Sequence, residues 1–351
     1  MMKKSVIYIL LALLVSACGD DLMTGGRQYY YPESGVFVCN EGNFMYGNAA
    51  LTYYDPSSKE VENQIFYNAN NFPLGDVCQS MEIINGRGYV VVNNSGVVYV
   101  IDPITFKYLG KISGLTSPRF IMGTGSGKLY VTEYYSPSIK VVDEATLSLI
   151  GEISLPVQDA GAMVRVDGYV YVCASASPCV VCKIDASNDK LVASTPVTLS
   201  PNSIVVDKNK KLWVLSDGGY YGSPLGQEVA AISRINLSTM QVEKVLTFPS
   251  INDSPYNLRI NGAGDKLYYV SYNVYAMGID DGVLPVTPFV AADAGQMYYG
   301  IGVEPSSGDV YITDAVDYMQ KGKVLRYSKS GEKIDSFTAD IIPGAFCFKK
   351  K

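Results

Sequence analysis

The sequence lacks histidine entirely, since none occurs among its 351 residues. Histidine is the side chain that most often acts as a general base, it is a common zinc ligand, and it completes the Ser-His-Asp triad. The chain therefore cannot build that triad, and the absence argues against a hydrolase or a metalloenzyme. We predict no catalytic residues and no catalytic cofactor.

Two further scarcities narrow the class of protein. Beyond the N-terminal leader no segment is apolar enough to cross a membrane, and after residue 20 no segment has a helical period. Basic residues are outnumbered, because 28 Lys and Arg face 34 Asp and Glu. Cleavage after residue 17 removes two lysines and no acid, so the formal charge goes from −6 to −8. This balance argues against nucleic acid and against an anionic membrane face as partners.

The N-terminal residues have the pattern of a secretory signal. Lys3 and Lys4 precede an apolar run over residues 6–15, which is too short to span a bilayer. Two small residues and a cysteine follow at 16–18, so we predict a lipoprotein signal peptide over residues 1–17 and lipidation of Cys18. The alternative is an ordinary signal with an incidental cysteine. Residues 18–34 then form a lipidated tether, and the lipid anchor is the only membrane contact.

Six cysteines remain after Cys18, and an exported protein permits disulfides among them. They are Cys39, Cys78, Cys173, Cys179, Cys182 and Cys347. The Cys179-x-x-Cys182 spacing is found in metal and redox sites, but a second such pair and any histidine are missing. Buried thiols or a local disulfide are the favoured interpretation, and we predict no metal site.

An internal repeat organises the rest of the chain. A short strand pattern of Gly or Lys followed by alternating apolar and aromatic residues recurs at spacings of about 40 to 55 residues, the range of a four-stranded propeller blade. The seven copies begin at Gly35, Gly88, Lys128, Gly168, Lys211, Lys266 and Asp309. The sequence therefore predicts an all-β fold, a seven-bladed β-propeller of four-stranded blades over residues 35–351.

The two ends of the repeat array indicate how the ring closes. The first copy begins at Val36 without an upstream strand of the type that starts at Pro118, whereas residues 343–348 match that type. We therefore predict that the C-terminal strand completes the first blade, which removes both free sheet edges. Cys39 and Cys347 would then lie on adjacent strands. An open solenoid is the alternative.

The loops of the predicted propeller fall into two sets. One set consists of tight turns with Gly, Asp, Asn and Lys, typical of structural corners. The other set is longer and rich in Tyr, Asn and Gly, a composition typical of recognition surfaces. We predict ligand-binding residues in this second set, against the alternative that tyrosine is simply frequent: Phe44, Tyr46, Phe72, Asn93, Tyr134, Tyr135, Tyr220, Tyr221, Tyr256, Tyr272, Tyr275, Tyr298 and Tyr318.

Several aspartates fall on or near the same loops. They are Asp76, Asp159, Asp217, Asp253, Asp293 and Asp314. Loop carboxylates are ligands that calcium prefers, but no EF-hand spacing is present. Solvated or hydrogen-bonding acids are the favoured interpretation.

The chain resembles the YncE-like seven-bladed propellers, and in particular the surface lipoproteins of gut Gram-negative bacteria. The resemblance spans most of the mature chain, and its local marks are the lipobox with Gly19-Asp20-Asp21 and residues 38–44 (VCNEGNF). Among these proteins the chain resembles the BtuG-type family. Membership would imply a surface-exposed protein on the outer membrane that binds cobalamin or another corrinoid without chemistry. It would also imply a TonB-dependent outer-membrane transporter as partner.

Two other classes stay open at this point. The tyrosines and amides also suit a glycan- or protein-binding surface lipoprotein that serves adhesion or nutrient capture. A propeller lyase or lactonase is the third possibility, although such enzymes generally use histidine or clustered metal carboxylates.

Overall fold

The computed structural model describes residues 34–349. The predicted signal peptide, the lipidation site Cys18 and nearly all of the predicted tether lie outside the described residues. Within 34–349 the chain forms 27 strands and one short helix, and the strands assemble into seven separate antiparallel sheets. No helix in this part of the chain is long and apolar enough to span a membrane.

The first three blades contain both ends of the described chain. Blade 1 consists of β1 (Gly35–Asn40), β2 (Ala50–Tyr54), β3 (Val61–Glu62) and the last strand, β27 (Pro343–Lys349). Blade 2 consists of β4 (Cys78–Ile84), β5 (Arg87–Val92), β6 (Val97–Ile101) and β7 (Tyr108–Ile112). Blade 3 consists of β8 (Pro118–Gly123), β9 (Lys128–Glu133), β10 (Ser138–Asp143) and β11 (Leu149–Ser154).

The other four blades follow in chain order. Blade 4 consists of β12 (Ala160–Val166), β13 (Tyr169–Ala174), β14 (Val180–Asp185) and β15 (Lys190–Pro196). Blade 5 consists of β16 (Pro201–Val206), β17 (Lys211–Ser216), β18 (Ala231–Asn236) and β19 (Val242–Thr247). Blade 6 consists of β20 (Tyr256–Ile260), β21 (Lys266–Ser271) and β22 (Asn273–Gly278), and blade 7 of β23 (Tyr298–Val303), β24 (Val310–Asp314), β25 (Lys321–Tyr327) and β26 (Lys333–Ile341).

The ring closes through the C-terminal strand, as the sequence predicts. β27 pairs antiparallel with β1, and Phe37 lies opposite Cys347 in that pairing. Cys39 and Cys347 therefore lie on adjacent strands, also as predicted. We call β27, β4, β8, β12, β16, β20 and β23 the inner strands, because they form a continuous ring in which each packs against the next.

The hydrophobic core lies between the blades. Seven buried clusters are found in the described residues, one between each pair of neighbouring blades. Counted outward from the inner strand, the second strand of every blade contributes an aromatic side chain that is at most 2% exposed. These side chains are Phe37, Tyr89, Tyr130, Tyr171, Trp213, Tyr268 and Tyr311. These rings bury the largest apolar areas of the repeat, which explains the recurring aromatic position in the sequence.

Two local features differ from the sequence-based expectation. A short helix, α1 (Ile65–Asn70), precedes blade 2 and buries Ile65 and Phe66, although no helical period was evident. Six residues are too few to show such a period, and tertiary packing stabilises the turn instead. Blade 6 has three strands, and Val290 adds only a single bridge to Val274. Pro285 and Pro288 remove two N–H donors from the segment where a fourth strand would pair.

All six cysteines of the described chain are buried, and no disulfide joins any two of them. Cys39 forms a side-chain hydrogen bond with Cys78, and this contact together with burial raises the pKa of the Cys39 thiol well above its ordinary value. Burial likewise raises the pKa of Cys182 to about 12. These thiols are packed as small apolar groups. Among residues 34–349, no group of three or more His, Cys, Asp or Glu side chains converges as a metal site would require.

Candidate functional site

The antiparallel blades divide the loops between two faces. The short-turn face contains the tight turns that follow each inner strand, such as residues 85–86 and 124–127. The long-loop face contains the loops that follow the second strand of each blade and those that lead into each inner strand. Because every inner strand starts at the long-loop face, its first residues surround the mouth of the central channel on that face.

A β-bulge interrupts the start of the inner strand in all seven blades. In blade 2, for example, Cys78 pairs with Val92 and Ser80 with Val91, so Gln79 is an extra residue. Such a bulge bends the strand and changes the direction of the extra side chain. The second residues of the seven inner strands, all within these bulges, are Gln79, Arg119, Gly161, Asn202, Asn257, Tyr299 and Gly344. We call this set the mouth ring.

Six members of the mouth ring line one cavity of about 270 Å³ at the centre of the propeller. The remaining lining residues come from the same strands and from the loop after β1: Glu41, Phe120, Tyr256, Arg259 and Ala345. The mouth ring member outside this lining is Gly161, where an added Cβ would meet only the Cys173 carbonyl oxygen, at 3.9 Å. The cavity is thus polar, and seven different parts of the chain assemble it.

Two arginines provide the positive charge of this cavity. The guanidinium of Arg119 lies over the ring of Tyr134, with 4.2 Å between its central carbon and the ring centroid, a cation–π geometry. Arg259 donates hydrogen bonds to the Leu258 carbonyl oxygen at 2.9 Å and to Asn257 Oδ1 at 3.2 Å. Desolvation by the surrounding protein lowers the pKa of Arg259 to about 10, so it is still cationic at neutral pH.

The acid of the cavity, Glu41, is bound to a tyrosine. Tyr299 directs its hydroxyl at both carboxylate oxygens of Glu41, at 3.0 and 3.1 Å. Burial raises the pKa of Glu41, while the Tyr299 hydroxyl and the charge of Arg119 act in the opposite direction. Burial and the neighbouring carboxylate raise the pKa of Tyr299 as well. Gly344 leaves the space that this pair occupies, because an added Cβ there would lie 2.7 Å from Glu41 Oε1.

Six of the residues predicted from sequence are large aromatic side chains exposed on the long-loop face. They are Phe44 (63% exposed), Tyr46 (75%), Tyr135 (78%), Tyr220 (65%), Tyr221 (92%) and Tyr272 (69%). They come from the loops after the second strands of blades 1, 3, 5 and 6. We call these six side chains the aromatic rim.

Three further predicted residues line the cavity or contact one of its lining residues. Tyr256 lines it, and its hydroxyl donates to the carbonyl oxygen of Tyr298. Tyr134 supports Arg119 as described above. Tyr318 packs edge-on against Tyr299 with ring centroids 5.6 Å apart. Three of the tyrosines predicted from sequence are therefore found at or next to the channel mouth.

Four predicted residues have packing or hydrogen-bonding partners that account for them structurally. Phe72 belongs to an aromatic cluster at the outer side of blade 2, where it meets Phe66 at 5.0 Å and Tyr108 at 5.7 Å. Asn93 donates to the Pro118 carbonyl oxygen at 2.9 Å and so joins blades 2 and 3. The remaining two are Tyr275, stacked on Tyr269 at 5.5 Å, and Tyr298, which is only 4% exposed. Loop composition does not separate such side chains from exposed ones, because burial is decided by the neighbouring blade.

The aspartates near the long-loop face serve as acceptors for loop N–H groups. Asp76 accepts from Met45 at 2.8 Å, Asp159 from Tyr135 at 2.8 Å, and Asp217 from Gly219 at 2.8 Å. Asp314 accepts from both Met297 and Val316 at 2.9 Å. The hydrogen-bonding interpretation of these acids is therefore confirmed for these four.

The sequence-based site omitted the polar residues of the channel mouth. Gln79, Arg119, Asn202, Asn257 and Arg259 lie in segments that read as ordinary strands. One signal is visible once the repeats are superimposed: the residue after the first position of each inner strand is not apolar in any blade, as in the Pro118-Arg119 and Pro201-Asn202 steps. A polar or small residue at the same position of seven strands indicates a shared surface.

Fold and site together define a closed seven-bladed propeller with a polar, cationic channel mouth and an aromatic rim. The chain belongs to the family described as a domain of unknown function, DUF5074, whose model matches residues 34–346. No curated protein matches the chain in sequence.

Solved structures with the same fold include proteins of several kinds. A Quinonprotein alcohol dehydrogenase-like protein from Bacteroides thetaiotaomicron is 17% identical with a TM-score of 0.68, covering 91% of this chain and 78% of the other. A putative 6-phosphogluconolactonase from Bacteroides uniformis is 9% identical with a TM-score of 0.68, covering 90% of this chain and 100% of its own. Apo AztD from Citrobacter koseri is 12% identical with a TM-score of 0.56, covering 90% and 98%. At these identities the similarity shows the fold alone.

Proposed function

We propose that this protein is a non-catalytic capture protein that binds cobalamin, or another corrinoid, on the long-loop face of its propeller. The observation that carries the proposal is the aromatic rim: six exposed aromatic side chains on loops of the face where the polar channel opens. Soluble proteins seldom leave so many large rings exposed on one face unless they contact a partner.

The chemistry of a corrinoid matches both parts of this face. A corrinoid is a large, flat macrocycle with a fringe of amide side chains, so it needs broad aromatic contact and many hydrogen-bonding partners. Tyr220 and Tyr221 offer ring faces with polar tips, and Asn202, Asn257 and Gln79 offer amides at the mouth. Binding would rest on shape and hydrogen bonds, since the chain has no imidazole to replace a ligand of the cobalt.

The size of the cavity determines how such a ligand would lie. At about 270 Å³ it is smaller than sites that enclose a drug-sized molecule, which span roughly 300–1,000 Å³. Only a side group would enter the mouth, and the macrocycle would lie across the face in contact with the aromatic rim. A ligand held this way stays accessible from outside, as transfer to a second protein requires.

The proposal includes a cellular location and a partner. The predicted signal peptide at residues 1–17, the predicted lipidation site Cys18 and the Gly19-Asp20-Asp21 segment are the sequence features that support an outer-membrane protein exposed at the cell surface. A capture protein at that location would deliver its ligand to a TonB-dependent outer-membrane transporter. Radiolabelled palmitate incorporation that is lost in Cys18→Ala would test the anchor, and co-purification with the transporter would test the partnership.

The deciding experiment is calorimetric titration of residues 34–351 with cyanocobalamin. This segment contains the whole ring and its closing strand, so it carries its own core. We expect saturable one-to-one binding. Absence of binding at micromolar concentrations would exclude the corrinoid proposal and leave the fold unaffected.

Glycan or protein capture is the second candidate, and the same exposed tyrosines favour it, since tyrosine rings also stack on sugars. Retention on polysaccharide gels without corrinoid affinity would select it. A propeller enzyme is the third candidate, favoured by Glu41 in the central cavity, because burial raises the pKa of its carboxyl group. Turnover of a lactone or uronate substrate that Glu41→Gln abolishes would establish it.

A further inference from the structure

Two arginines share the small cavity at the channel mouth, although the protein as a whole is acidic. Arg119 comes from β8 and Arg259 from β20, on opposite sides of the ring, and both line the same space of about 270 Å³. The chain as a whole has a formal charge of −6. Two arginines and one glutamate line the cavity, so the local net charge is positive. Low-dielectric walls focus such a field into the cavity.

Arg259 has donors left for a ligand. It uses two of its N–H groups on the Leu258 carbonyl oxygen and on Asn257 Oδ1, both in its own strand. A guanidinium carries five N–H donors, so three remain. Among residues 34–349 no carboxylate forms an ion pair with Arg259. Its neighbours orient the side chain and leave its charge unneutralised.

Arg119 is held in a comparable way from the other side. The cation–π contact with Tyr134 holds its central carbon, Cζ, 4.2 Å from the ring centroid. Within the described residues its side chain donates no hydrogen bond and forms no ion pair, whereas Arg326 is paired with Asp309 at 2.6 Å. The stacking holds the group at the cavity while its N–H edge stays available.

The neutral residues of the cavity are fixed by the neighbouring inner strands. Asn202 donates to the Pro255 carbonyl oxygen at 3.0 Å, and Asn257 donates to the Tyr299 carbonyl oxygen at 2.9 Å. The only acid, Glu41, is occupied by the Tyr299 hydroxyl. Asn202 and Asn257 are thus held in place, and the unneutralised charged donors among these described lining residues belong to Arg119 and Arg259.

We propose that the channel mouth binds a compact oxyanion, a carboxylate or phosphate group, between Arg119 and Arg259. Planar guanidinium groups match the oxygens of both anions and form the stronger, charge-assisted class of hydrogen bond. The inference goes beyond the proposed function, because it requires no corrinoid and specifies the charge of the group that enters the cavity.

The test uses small probes on residues 34–351. The Nε–Hε resonances of the arginines are followed by NMR during titration with sodium phosphate and, separately, sodium acetate at constant ionic strength. We expect the resonances of Arg119 and Arg259 to shift together along one saturation curve in the millimolar range. Tighter binding of phosphate would assign the site to a phosphoryl group, and equal or tighter binding of acetate would assign it to a carboxylate.

Substitution of single arginines tests whether the anion binds in the cavity. Arg259→Gln should weaken binding about tenfold or more, since a hydrogen bond to a charged group contributes about 1.5–3 kcal/mol. Arg119→Gln gives a second, independent removal of charge from the opposite side. The matched control is Arg165→Gln, because Arg165 is exposed at the far end of inner strand β12. Native fluorescence of Trp213, the single tryptophan, confirms that each variant is folded.

Three results would overturn the proposal. The first is the absence of a saturable shift with either anion, and the second is an equal shift of the Arg165 resonance. The third is unchanged affinity in both folded cavity variants. Since neither probe is a corrinoid, these outcomes are independent of the cyanocobalamin titration: anion binding can persist where corrinoid binding fails, and the reverse holds as well.

Discussion

The two faces of the propeller are held by different kinds of interaction. On the short-turn face, the side chain of the residue that ends or directly follows the third strand of a blade, counted outward from the inner strand, accepts the backbone N–H two or three residues later, at 2.7 to 2.9 Å. Five blades repeat this arrangement: Asp55 with Ser57, Asp102 with Ile104, Asp143 with Thr146, Asp185 with Ser187, and Asn236 with Ser238. Each of these five hydrogen bonds lies within a single turn, while other side chains on this face join neighbouring blades, as Lys128 does with Asp189.

On the long-loop face, two of the corresponding aspartate bonds join different blades, whereas Asp217 and Asp314 accept N–H groups from their own blades. Asp76, which precedes the inner strand of blade 2, accepts the Met45 N–H of blade 1 at 2.8 Å. Asp159 of blade 4 accepts the Tyr135 N–H of blade 3 at 2.8 Å. The conformation of one loop therefore depends on its neighbour. The comparison shows that the short-turn face repeats one turn structure from blade to blade. On the long-loop face the loops differ, and some of them depend on contacts with the neighbouring blade. A binding site can therefore be assembled on the long-loop face.

The largest effect is expected where a short turn also supports the core. Asp207 accepts the Asn209 and Lys211 N–H groups at 2.9 Å, and it accepts the buried indole N–H of Trp213 at 2.8 Å. Asp207→Ala should lower the free energy of unfolding by about 3 kcal/mol, because the indole N–H stays buried without a partner. Urea unfolding followed by Trp213 fluorescence measures it.

Asp207→Asn is the control for that variant, since its amide oxygen still accepts one of these bonds and should recover part of the loss. Ligand affinity of the folded Asp207→Ala protein should match that of the native protein. A loss of affinity comparable to the loss of stability would contradict the separation of the two faces.

The converse variant removes contact area from the long-loop face. Tyr220 and Tyr221 are 65% and 92% exposed, so truncation of both to alanine leaves the core intact. We expect cyanocobalamin affinity to fall about tenfold or more, with an unchanged unfolding midpoint. The matched control is Ile104→Ala, which removes a 47% exposed apolar side chain from the short-turn face and should change neither quantity. Equal loss of affinity in both would mean that the aromatic rim is not the contact surface.

A smaller effect compares two glycines of the mouth ring. An added Cβ at Gly344 would lie 2.7 Å from Glu41 Oε1, whereas at Gly161 its nearest neighbour would be 3.9 Å away. Gly344→Ala should displace Glu41 from Tyr299 and cost about 1 kcal/mol, and Gly161→Ala should be neutral. Thermal unfolding measures the cost, and the carboxyl carbon resonance of Glu41 reports the displacement. Identical behaviour of the two variants would refute the close packing at Gly344.

The smallest effect is a dependence on pH at the short-turn face. Burial acts to raise the pKa of Asp55, but hydrogen bonds from Ser57 and Ser58 outweigh it and hold the pKa below the ordinary value of 3.8. The ionised form is therefore favoured by folding, and its contribution is present above that ordinary value and lost as pH falls through the lower, folded value. The native unfolding midpoint should drop more steeply below pH 4 than that of Asp55→Asn, by a few degrees. Parallel curves would show that Asp55 makes no such contribution.

The strand repeats illustrate what a single sequence reveals. The segment from Lys128 predicts β9 and the segment from Lys266 predicts β21, because a short run of aliphatic, aromatic and β-branched residues between turn residues favours a strand on local grounds alone. The match between residues 343–348 and the Pro118 strand predicts closure by β27 for the same reason. The missing fourth strand of blade 6 was detectable too, since Pro285 and Pro288 interrupt it.

The site was predicted less completely. Tyrosine-rich loops include the exposed side chains of Tyr135 and Tyr221, yet the same composition includes Tyr298, which the neighbouring strands bury. Arg119 and Arg259 are 140 positions apart and sit in strand-like segments, so no local pattern connects them. Their meeting depends on the positions of β8 and β20 in the closed ring.

The sequence by itself determined the seven units, the ring closure and the short turns, because alternation and turn hydrogen bonds involve residues only a few positions apart. Tertiary structure decided which side chains meet at the channel mouth. Each inner strand contributes one bulged residue to the mouth ring, and the bulged residue Arg119 becomes part of a site only together with Gln79 and Asn257 from other blades. Closure of the ring brings these distant residues to a common axis, and no interaction within one blade specifies which residues face one another across it.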